Sequence, residues 1–508
     1  MSPARFLGFV ASALLLARCN PGDGLDATKL VTADASLDSD ADDGGGVVGQ
    51  PYGGSWQVLV AAPPFSPGEM ALMTDGTVIV HESSTSDWWR FTPDNFGSYV
   101  NGSWSRIASF PSGYAPTFFG LAVLPNGSVV ASGGEYDLGA SAWTSLGAIY
   151  DPLPDAWTPI APPQSWTTNP IGIGDTATVV LPNGVLMIGN AANKEQALFD
   201  ARTLTFTLTG AGKYDNNDEE GWTLLPNGKV LTIDVSKQHA ELYDWTKGSW
   251  SSAGAPVDPL SDSSYEIGPA VVMPNGSVFA MGATGNNAIY GSDGSWTAGP
   301  KFTIDPDGGQ LDIADGPATL LPNGNVLCAA SPGVFHGPVT FFEFDGTNLT
   351  PLPPTQNAAK DTSYNFMFLP LPSGQILEVD GSQDAEIFTP GGSANPAWAP
   401  TITNVATSVV RGSTNLLEGT QLNGLSQACG YGDDFQCATN YPLVRITNVA
   451  TGHVFYARTH DHSTMAIATG STQVSTLFDV PATMETGPST LVVVANGIPS
   501  APAQVNVQ

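Results

Sequence analysis

The feature that most constrains this chain is a phrase that recurs about every 50 residues, in which two apolar runs flank a turn that closes on glycine. The tripeptide Pro-Asn-Gly stands at most of these turns and tolerates positive φ, so each phrase predicts a β-hairpin. A sustained period of this length is typical of a β-propeller, whose units bury their faces only by stacking around an axis. The turn glycines are spaced 51, 57, 44, 48, 48 and 50 residues apart and are Gly76, Gly127, Gly184, Gly228, Gly276, Gly324 and Gly374.

Two further strands complete each unit. The third is exemplified by AELYD (240–244), and the fourth carries a tryptophan, as in GSWSSA (249–254). Four strands in each of seven units predict seven blades. The seventh unit lacks its tryptophan strand, which appears instead near the N-terminus as GSWQVL (54–59). We therefore predict that Trp56 joins the seventh blade and closes the ring, leaving no free edge strand. Because these tryptophans recur once per blade, we interpret them as residues that pack the outer strands. The alternative is that they stack on sugars.

The N-terminal segment predicts export. Residues 1–19 have the form of a signal peptide, with a basic residue before an apolar run too short to span a bilayer. The stretch LARC, which ends at Cys19, resembles a bacterial lipobox, although Arg18 stands where a small residue is expected. Lipid modification of Cys19 and plain secretion both stay open. Residues 20–50 are acidic and lack aromatic residues, which predicts a disordered linker. This linker either tethers the folded part of the protein or has no function of its own.

The period stops near residue 400. Residues 51–398 are assigned to the propeller, and residues 399–508, with their short alternating strands, to an immunoglobulin-like β-sandwich. The predicted fold class is therefore all-β. Cys429 and Cys437 lie eight residues apart and are predicted to form a disulfide in an oxidising compartment, whereas Cys328 is predicted to be a buried thiol.

The charge balance excludes some partners. The net charge is −31 with only 16 lysine and arginine residues, so no basic surface for nucleic acid is expected. Membrane contact is expected only through the lipid on Cys19, and a monomer is expected. The protein is placed outside the cytoplasm, either anchored to a bacterial membrane or secreted.

The stretch SYNFMFLPLPSGQILEVDGSQDAEIFTP (363–390) and the pattern RTHDHSTM (458–465) resemble the galactose oxidase-like proteins. The resemblance covers roughly residues 51–508 and implies a kelch-type seven-bladed propeller followed by an early-set immunoglobulin-like domain. That family's oxidases hold copper with two tyrosines and two histidines, one tyrosine being linked to a cysteine.

The copper residues of that family are only partly present. Tyr364 matches one tyrosine and His460 the C-terminal histidine, although His462 competes for that role. The other three positions are occupied by Asn365, Phe118 and Pro67. Because copper needs converging imidazole and phenolate donors, copper binding and radical oxidase activity are not expected.

Counting nine residues back from each turn glycine identifies a candidate binding site at one mouth of the propeller channel. Carboxylates from several blades converge there, and such oxygen ligands suit calcium, which is the one cofactor that the pattern favours. Two alternatives stay open: an acid–base pair, and a solvated rim of an acidic protein. The count gives Asp175, Glu219, Asp315 and Asn365 directly, Glu266 and Tyr364 are their neighbours or those of equivalent positions, and the family resemblance adds His460.

Two functions are compatible with these features. The first is an exported binding or scaffold protein whose ligand is a carbohydrate or a protein. The second is an extracellular enzyme that keeps the galactose oxidase-like fold but has a degenerate or different active site.

Overall fold

A computed structural model of the chain describes residues 53–167, 172–432 and 437–508. The predicted signal peptide, Cys19 and the acidic linker lie outside these residues. Within the described ranges every regular element is a strand or a short 3-10 helix, and no helix there is long and apolar enough to cross a bilayer. The 3-10 helices are Gln164–Trp166, Ser363–Asn365 and Pro396–Trp398.

Seven antiparallel sheets in the described part of the chain form the blades, as predicted. In blades 1 to 6 the repeated hairpin comes first in the blade, and the next two strands of the same blade lie outside it; in blade 2 an insertion with two short strands comes between them in the chain. The first described strand, β1 (Gly54–Val58), belongs to blade 7. Blade 1 comprises β2 (Pro67–Leu72), β3 (Val78–Glu82), β4 (Trp88–Thr92) and β5 (Ser103–Ile107). Blade 2 and its insertion contain β6 (Pro116–Thr117), β7 (Gly120–Val123), β8 (Val129–Ser132), β9 (Tyr136–Asp137), β10 (Ala140–Ser141), β11 (Gly147–Asp151) and β12 (Ala156–Pro159).

The next four blades follow the same order. Blade 3 comprises β13 (Thr178–Val180), β14 (Leu186–Gly189), β15 (Gln196–Asp200) and β16 (Thr205–Thr209). Blade 4 comprises β17 (Thr223–Leu224), β18 (Val230–Asp234), β19 (His239–Asp244) and β20 (Ser249–Ser252). Blade 5 comprises β21 (Ala270–Val272), β22 (Val278–Met281), β23 (Asn287–Tyr290) and β24 (Trp296–Ala298). Blade 6 comprises β25 (Pro317–Leu320), β26 (Val326–Ala330), β27 (Thr340–Phe344) and β28 (Leu349–Pro351).

Blade 7 joins the two ends of the propeller. Its strands β29 (Met367–Pro370), β30 (Ile376–Val379) and β31 (Ala385–Pro390) are completed by β1, which pairs antiparallel with β31. Trp56 lies directly opposite Phe388, and their ring centroids are 4.8 Å apart. The prediction that Trp56 closes the ring is confirmed.

The tryptophans of the outer strands tie neighbouring blades together. In three blades the indole N–H donates to a carbonyl just beyond the outer strand of the preceding blade, which supports the packing role predicted from the period. These bonds, each 2.9 Å long, run from Trp56 to Pro353, from Trp104 to Ala61 and from Trp296 to Ala253.

The strands after the propeller pair almost entirely with one another and enclose a separate core around Leu417, Val444 and Phe478. The pairing is antiparallel except between β33 and β41. The immunoglobulin-like assignment of this region stays a prediction. The strands are β32 (Thr401–Val405), β33 (Ser408–Val409), β34 (Thr414–Thr420), β35 (Cys429–Tyr431), β36 (Leu443–Asn448), β37 (Val454–His460), β38 (Gln473–Asp479), β39 (Gly487–Ala495), β40 (Ile498–Pro499) and β41 (Ala503–Val507).

The repeat turns of the propeller are also the surface on which these C-terminal strands dock. Gly76 has a φ of +75°, and a Cβ atom there would lie 2.4 Å from the Tyr456 ring. Arg458 donates through Nη2 to the carbonyl of Asn126 in the turn of blade 2, at 2.7 Å. Glycine at the first turn therefore serves both the backbone conformation and the close approach of the second set of strands.

Candidate functional site at the channel mouth

The inner strand of each blade sets the ends of the channel. It runs from the candidate residues toward the repeat turn, as β25 does from Asp315 to the turn at Gly324. Nine residues of nearly extended chain span up to about 30 Å. The candidate residues therefore lie at the end of the channel opposite the docked C-terminal strands, and we call this end the mouth.

Three of the predicted carboxylates converge at the mouth. Glu219, Glu266 and Asp315 belong to blades 4, 5 and 6, are half-buried, and each offers an oxygen within 4.8 Å of the other two. Glu219 and Asp315 occupy equivalent positions and share a left-handed backbone, with φ values of +59° and +49°. Such values are uncommon outside glycine. Like charges this close repel one another, and either a proton or a cation relieves the repulsion.

The insertion in blade 2 adds two residues that the sequence analysis missed. Burial raises the pKa of Glu135 to about 7; a hydrogen bond with Tyr136 opposes this rise, and the negative charge of Glu266 adds to it. Burial likewise raises the pKa of Tyr136 to about 12, with contributions from Glu135, Asp175 and Tyr364. The insertion thus brings a fourth carboxylate and a phenol to the mouth. The only signal in the sequence is the 57-residue spacing between Gly127 and Gly184, the longest of the six spacings between turn glycines.

A finger from the C-terminal strands fills the channel beneath the mouth. It comprises residues 426–432 and 437–441, with residues 433–436 outside the described ranges, and a disulfide joins Cys429 to Cys437 across Cα atoms 5.4 Å apart. Strand β35 in the finger pairs with β25, the inner strand of blade 6. The cavity beside the finger has a volume of about 20 Å³, enough for roughly one water molecule.

The finger also contacts the carboxylate group directly. The Gly432 amide donates to the carbonyl of Gly316 at 3.3 Å, and a Cβ atom on Gly432 would lie 2.5 Å from Oδ1 of Asp315. The Tyr431 hydroxyl donates to the carbonyl of Tyr364 at 2.7 Å. A ligand therefore reaches the mouth from its outer side, and the finger forms its floor.

The remaining predicted residues contribute unequally. Asp175 and Tyr364 lie close enough to affect the titration of Tyr136, but neither belongs to the group of three carboxylates. Asn365 is occupied elsewhere, because its Oδ1 accepts from the amide and the hydroxyl of Thr362 at 3.3 and 3.1 Å and so caps a 3-10 helix.

The expectation that His460 lies at the mouth is wrong. Its ring nitrogens face Asp461 at 3.0 Å and Asp479 at 3.3 Å. The amide of the preceding residue, Thr459, donates to the carbonyl of Thr74 beside the first repeat turn. His460 therefore lies at the docked end of the channel, because strand β37 packs on the turns while the finger enters the channel instead.

His462 does not share a strand face with His460, although residues two apart in a continuous strand would do so. Strand β37 ends at His460, and Asp461 then adopts a φ of +52°, which breaks the alternation of side chains. His462 is buried with its Nδ1 atom 2.9 Å from the Thr476 hydroxyl, and burial lowers its pKa to about 3. The two imidazoles therefore do not form a pair of metal ligands.

The side chains at the mouth do not fit the copper centre of the resembled oxidases. Phe118 has no donor atom, and its ring lies 6.4 Å from that of Tyr136. Pro67 is the first residue of the inner strand of blade 1, and the Asn365 side chain caps the 3-10 helix Ser363–Asn365. Within the described residues, the one group of three or more candidate metal ligands contains carboxylates alone.

Comparison with known proteins supports the fold through one solved structure. No protein-family model matches the chain, and no curated protein matches it. A fungal alcohol oxidase of the AA5 family, solved with copper, aligns with a TM-score of 0.50 and 16% identity over 90% of this chain and 99% of that one. Virginiamycin B lyase from Staphylococcus aureus aligns with a TM-score of 0.46 and 10% identity over 67% and 99% of the two chains. The extracellular domain of BT4673 from B. thetaiotaomicron aligns with a TM-score of 0.45 and 10% identity over 90% and 59%. At these identities the likeness to the alcohol oxidase shows the fold alone.

Proposed function

We propose that the protein is an extracytoplasmic binding protein that holds a divalent cation, calcium in particular, at the mouth of its propeller. The observation that carries this proposal is the convergence of Glu219, Glu266 and Asp315 from three adjacent blades. The cation and the surrounding rim then form the surface for a carbohydrate or protein ligand.

The chemistry of the three carboxylates favours calcium over magnesium. Calcium takes about six to eight oxygen ligands in flexible geometry, so carboxylates from three different blades together with water can satisfy it, whereas magnesium requires a near-ideal octahedron. Hard oxygen donors in a strongly acidic protein also disfavour softer transition metals.

Isothermal titration with calcium chloride on the purified chain tests the proposal. The wild-type protein is expected to bind one calcium ion, and Glu266→Gln or Asp315→Asn is expected to weaken binding at least about tenfold, a loss of about 1.4 kcal/mol. The matched control is Asp307→Asn, which removes the same charge from an exposed position in a loop of blade 5. Absence of saturable binding, or equal weakening by Asp307→Asn, contradicts the proposal.

A second candidate function is catalysis with a different active site, and Glu135 favours it. A carboxyl group with a pKa of about 7 is suited to transfer protons near neutral pH. Incubation with a panel of polysaccharides, followed by product analysis, tests this candidate. Product formation that Glu135→Gln abolishes supports an enzyme, and products that persist in the variant contradict a role for Glu135.

Export and anchoring form part of the proposal through Cys19. We expect the wild-type protein expressed in a bacterial host to need detergent for extraction from membranes, and Cys19→Ser to release it. A freely soluble wild-type protein contradicts the lipid anchor but leaves secretion and the cation site intact.

A further inference from the structure

Three side chains at the outer side of blade 4 form a connected chain of hydrogen bonds. Nδ1 of His239 lies 2.5 Å from Oδ2 of Asp234, and Nε2 of the same ring lies 2.9 Å from Oγ of Ser252. The three residues come from β18, β19 and β20, and the sheet register holds Asp234 directly opposite His239. Because the connection follows from register within one sheet, it is held by backbone pairing on both sides.

The chemistry of the donors orders the protons along this chain. An ionised Asp234 only accepts, so Nδ1 of His239 carries a hydrogen and Nε2 accepts from the Ser252 hydroxyl. Burial raises the pKa of Asp234, while Lys213, whose Nζ lies 3.5 Å from Oδ1, and the bond to His239 oppose that rise. Asp234 is fully buried, the His239 side chain is 24% exposed and Ser252 is exposed. The buried Asp234 carboxylate thus orients the His239 imidazole as a base, and the Ser252 hydroxyl bonded to that imidazole is open to the solvent.

One backbone amide contacts the hydroxyl oxygen. The Gly254 amide donates to Oγ of Ser252 at 3.1 Å. Because a hydrogen bond to the charged form of a group favours that form, this amide stabilises Oγ as its proton passes to His239.

We propose that Ser252, His239 and Asp234 form an acyl-transfer site that acts on small esters at the open surface of blade 4, independently of the channel mouth. Oγ attacks the ester carbonyl carbon as its proton passes to Nε2 of His239. The carbon–oxygen bond to the alcohol then breaks, and the alkoxide takes that proton. Water hydrolyses the resulting acyl-serine by the same route, which restores the hydroxyl. The exposed Tyr214 ring, centred 4.7 Å from the His239 ring, flanks the approach.

Labelling with a fluorophosphonate probe, located by mass spectrometry, tests the nucleophile. Ser252 of the full chain is expected to be labelled, and Ser252→Ala is expected to lose that label. His239→Gln should slow labelling at least about 100-fold, the usual contribution of a general base. The matched control is Ser251→Ala, an exposed serine on the same strand whose hydroxyl faces the carbonyl of Leu242. Labelling that spares Ser252, or that proceeds equally in His239→Gln, overturns the proposal.

The pH dependence of labelling tests the positioning role of Asp234. The groups that contact the His239 ring are Asp234 of β18, Ser252 of β20 and Tyr214 of the preceding segment. Lys213 in turn pairs with Asp234 and with Glu241. The wild-type labelling rate is expected to rise with pH, and Asp234→Asn, which removes a negative charge 2.5 Å from the imidazole, should move the midpoint of that profile to lower pH. An unchanged midpoint in Asp234→Asn, with the fold intact by thermal unfolding, overturns the role of Asp234.

Discussion

Replacing Trp56 by alanine removes the side chain that joins the N-terminal strand to the last blade. The ring packs 5.0 Å from Phe341 and 4.8 Å from Phe388, and its indole N–H donates to Pro353 at 2.9 Å. A fully buried tryptophan loses about 3–5 kcal/mol on truncation to alanine, and Trp56 is half-buried, which suggests about 2 kcal/mol. The lost hydrogen bond adds about 1 kcal/mol. We therefore expect the free energy of unfolding to fall by about 3 kcal/mol in total.

Urea denaturation followed by circular dichroism measures this loss. Trp56→Phe keeps ring packing and is expected to cost about 1 kcal/mol, the hydrogen bond alone. The matched control is Trp296→Ala in blade 5, which breaks an equivalent 2.9 Å bond to Ala253; the outer strand of that blade follows in the chain from the strand it pairs with. Both alanine variants should be destabilised, but only Trp56→Ala should expose the N-terminal strand to protease. A Trp56→Ala variant within about 0.5 kcal/mol of wild type would refute ring closure as a source of stability.

Three further outcomes follow from the described contacts. Glu266→Gln is expected to lower the pKa of Glu135 from about 7, because a like charge is removed; an NMR titration of the carboxyl group measures the fall, and an unchanged value contradicts their coupling. Combined Cys429→Ser and Cys437→Ser replacement is expected to reduce the free energy of unfolding by about 2–3 kcal/mol in urea, since the loop it closes is short; no loss would mean that the finger is held by strand pairing alone. Burial raises the pKa of Glu378 well above its usual range, so the folded protein keeps this proton and stability falls as the pH rises above about 4.5. Glu378→Gln should therefore equal wild type near pH 4 and exceed it in unfolding free energy at pH 7, and a difference independent of pH would contradict this assignment.

Much of the propeller could be predicted from local sequence patterns. Apolar runs on either side of a glycine turn determine a hairpin wherever they occur, and their period sets the number of blades. The missing tryptophan strand after blade 7 and the surplus one at Trp56 then leave a single way to close the ring. The same counting identified Glu219 and Asp315 directly and Glu266 as the neighbour of a counted position, because equivalent positions in a propeller lie at equivalent heights along its axis.

The sequence by itself determined the strands, the turns and the acidic character of the mouth, since these depend on residues close together in the chain. Only the tertiary structure decided which segment enters the channel, and therefore that Gly432 contacts Asp315 while His460 lies at the far end. It also decided that the insertion carries Glu135 to Glu266, and that strand register brings Ser252 to His239. The physical reason is that docking between distant segments depends on the shape and packing of whole surfaces. A periodic pattern among neighbouring residues does not specify how such surfaces fit together.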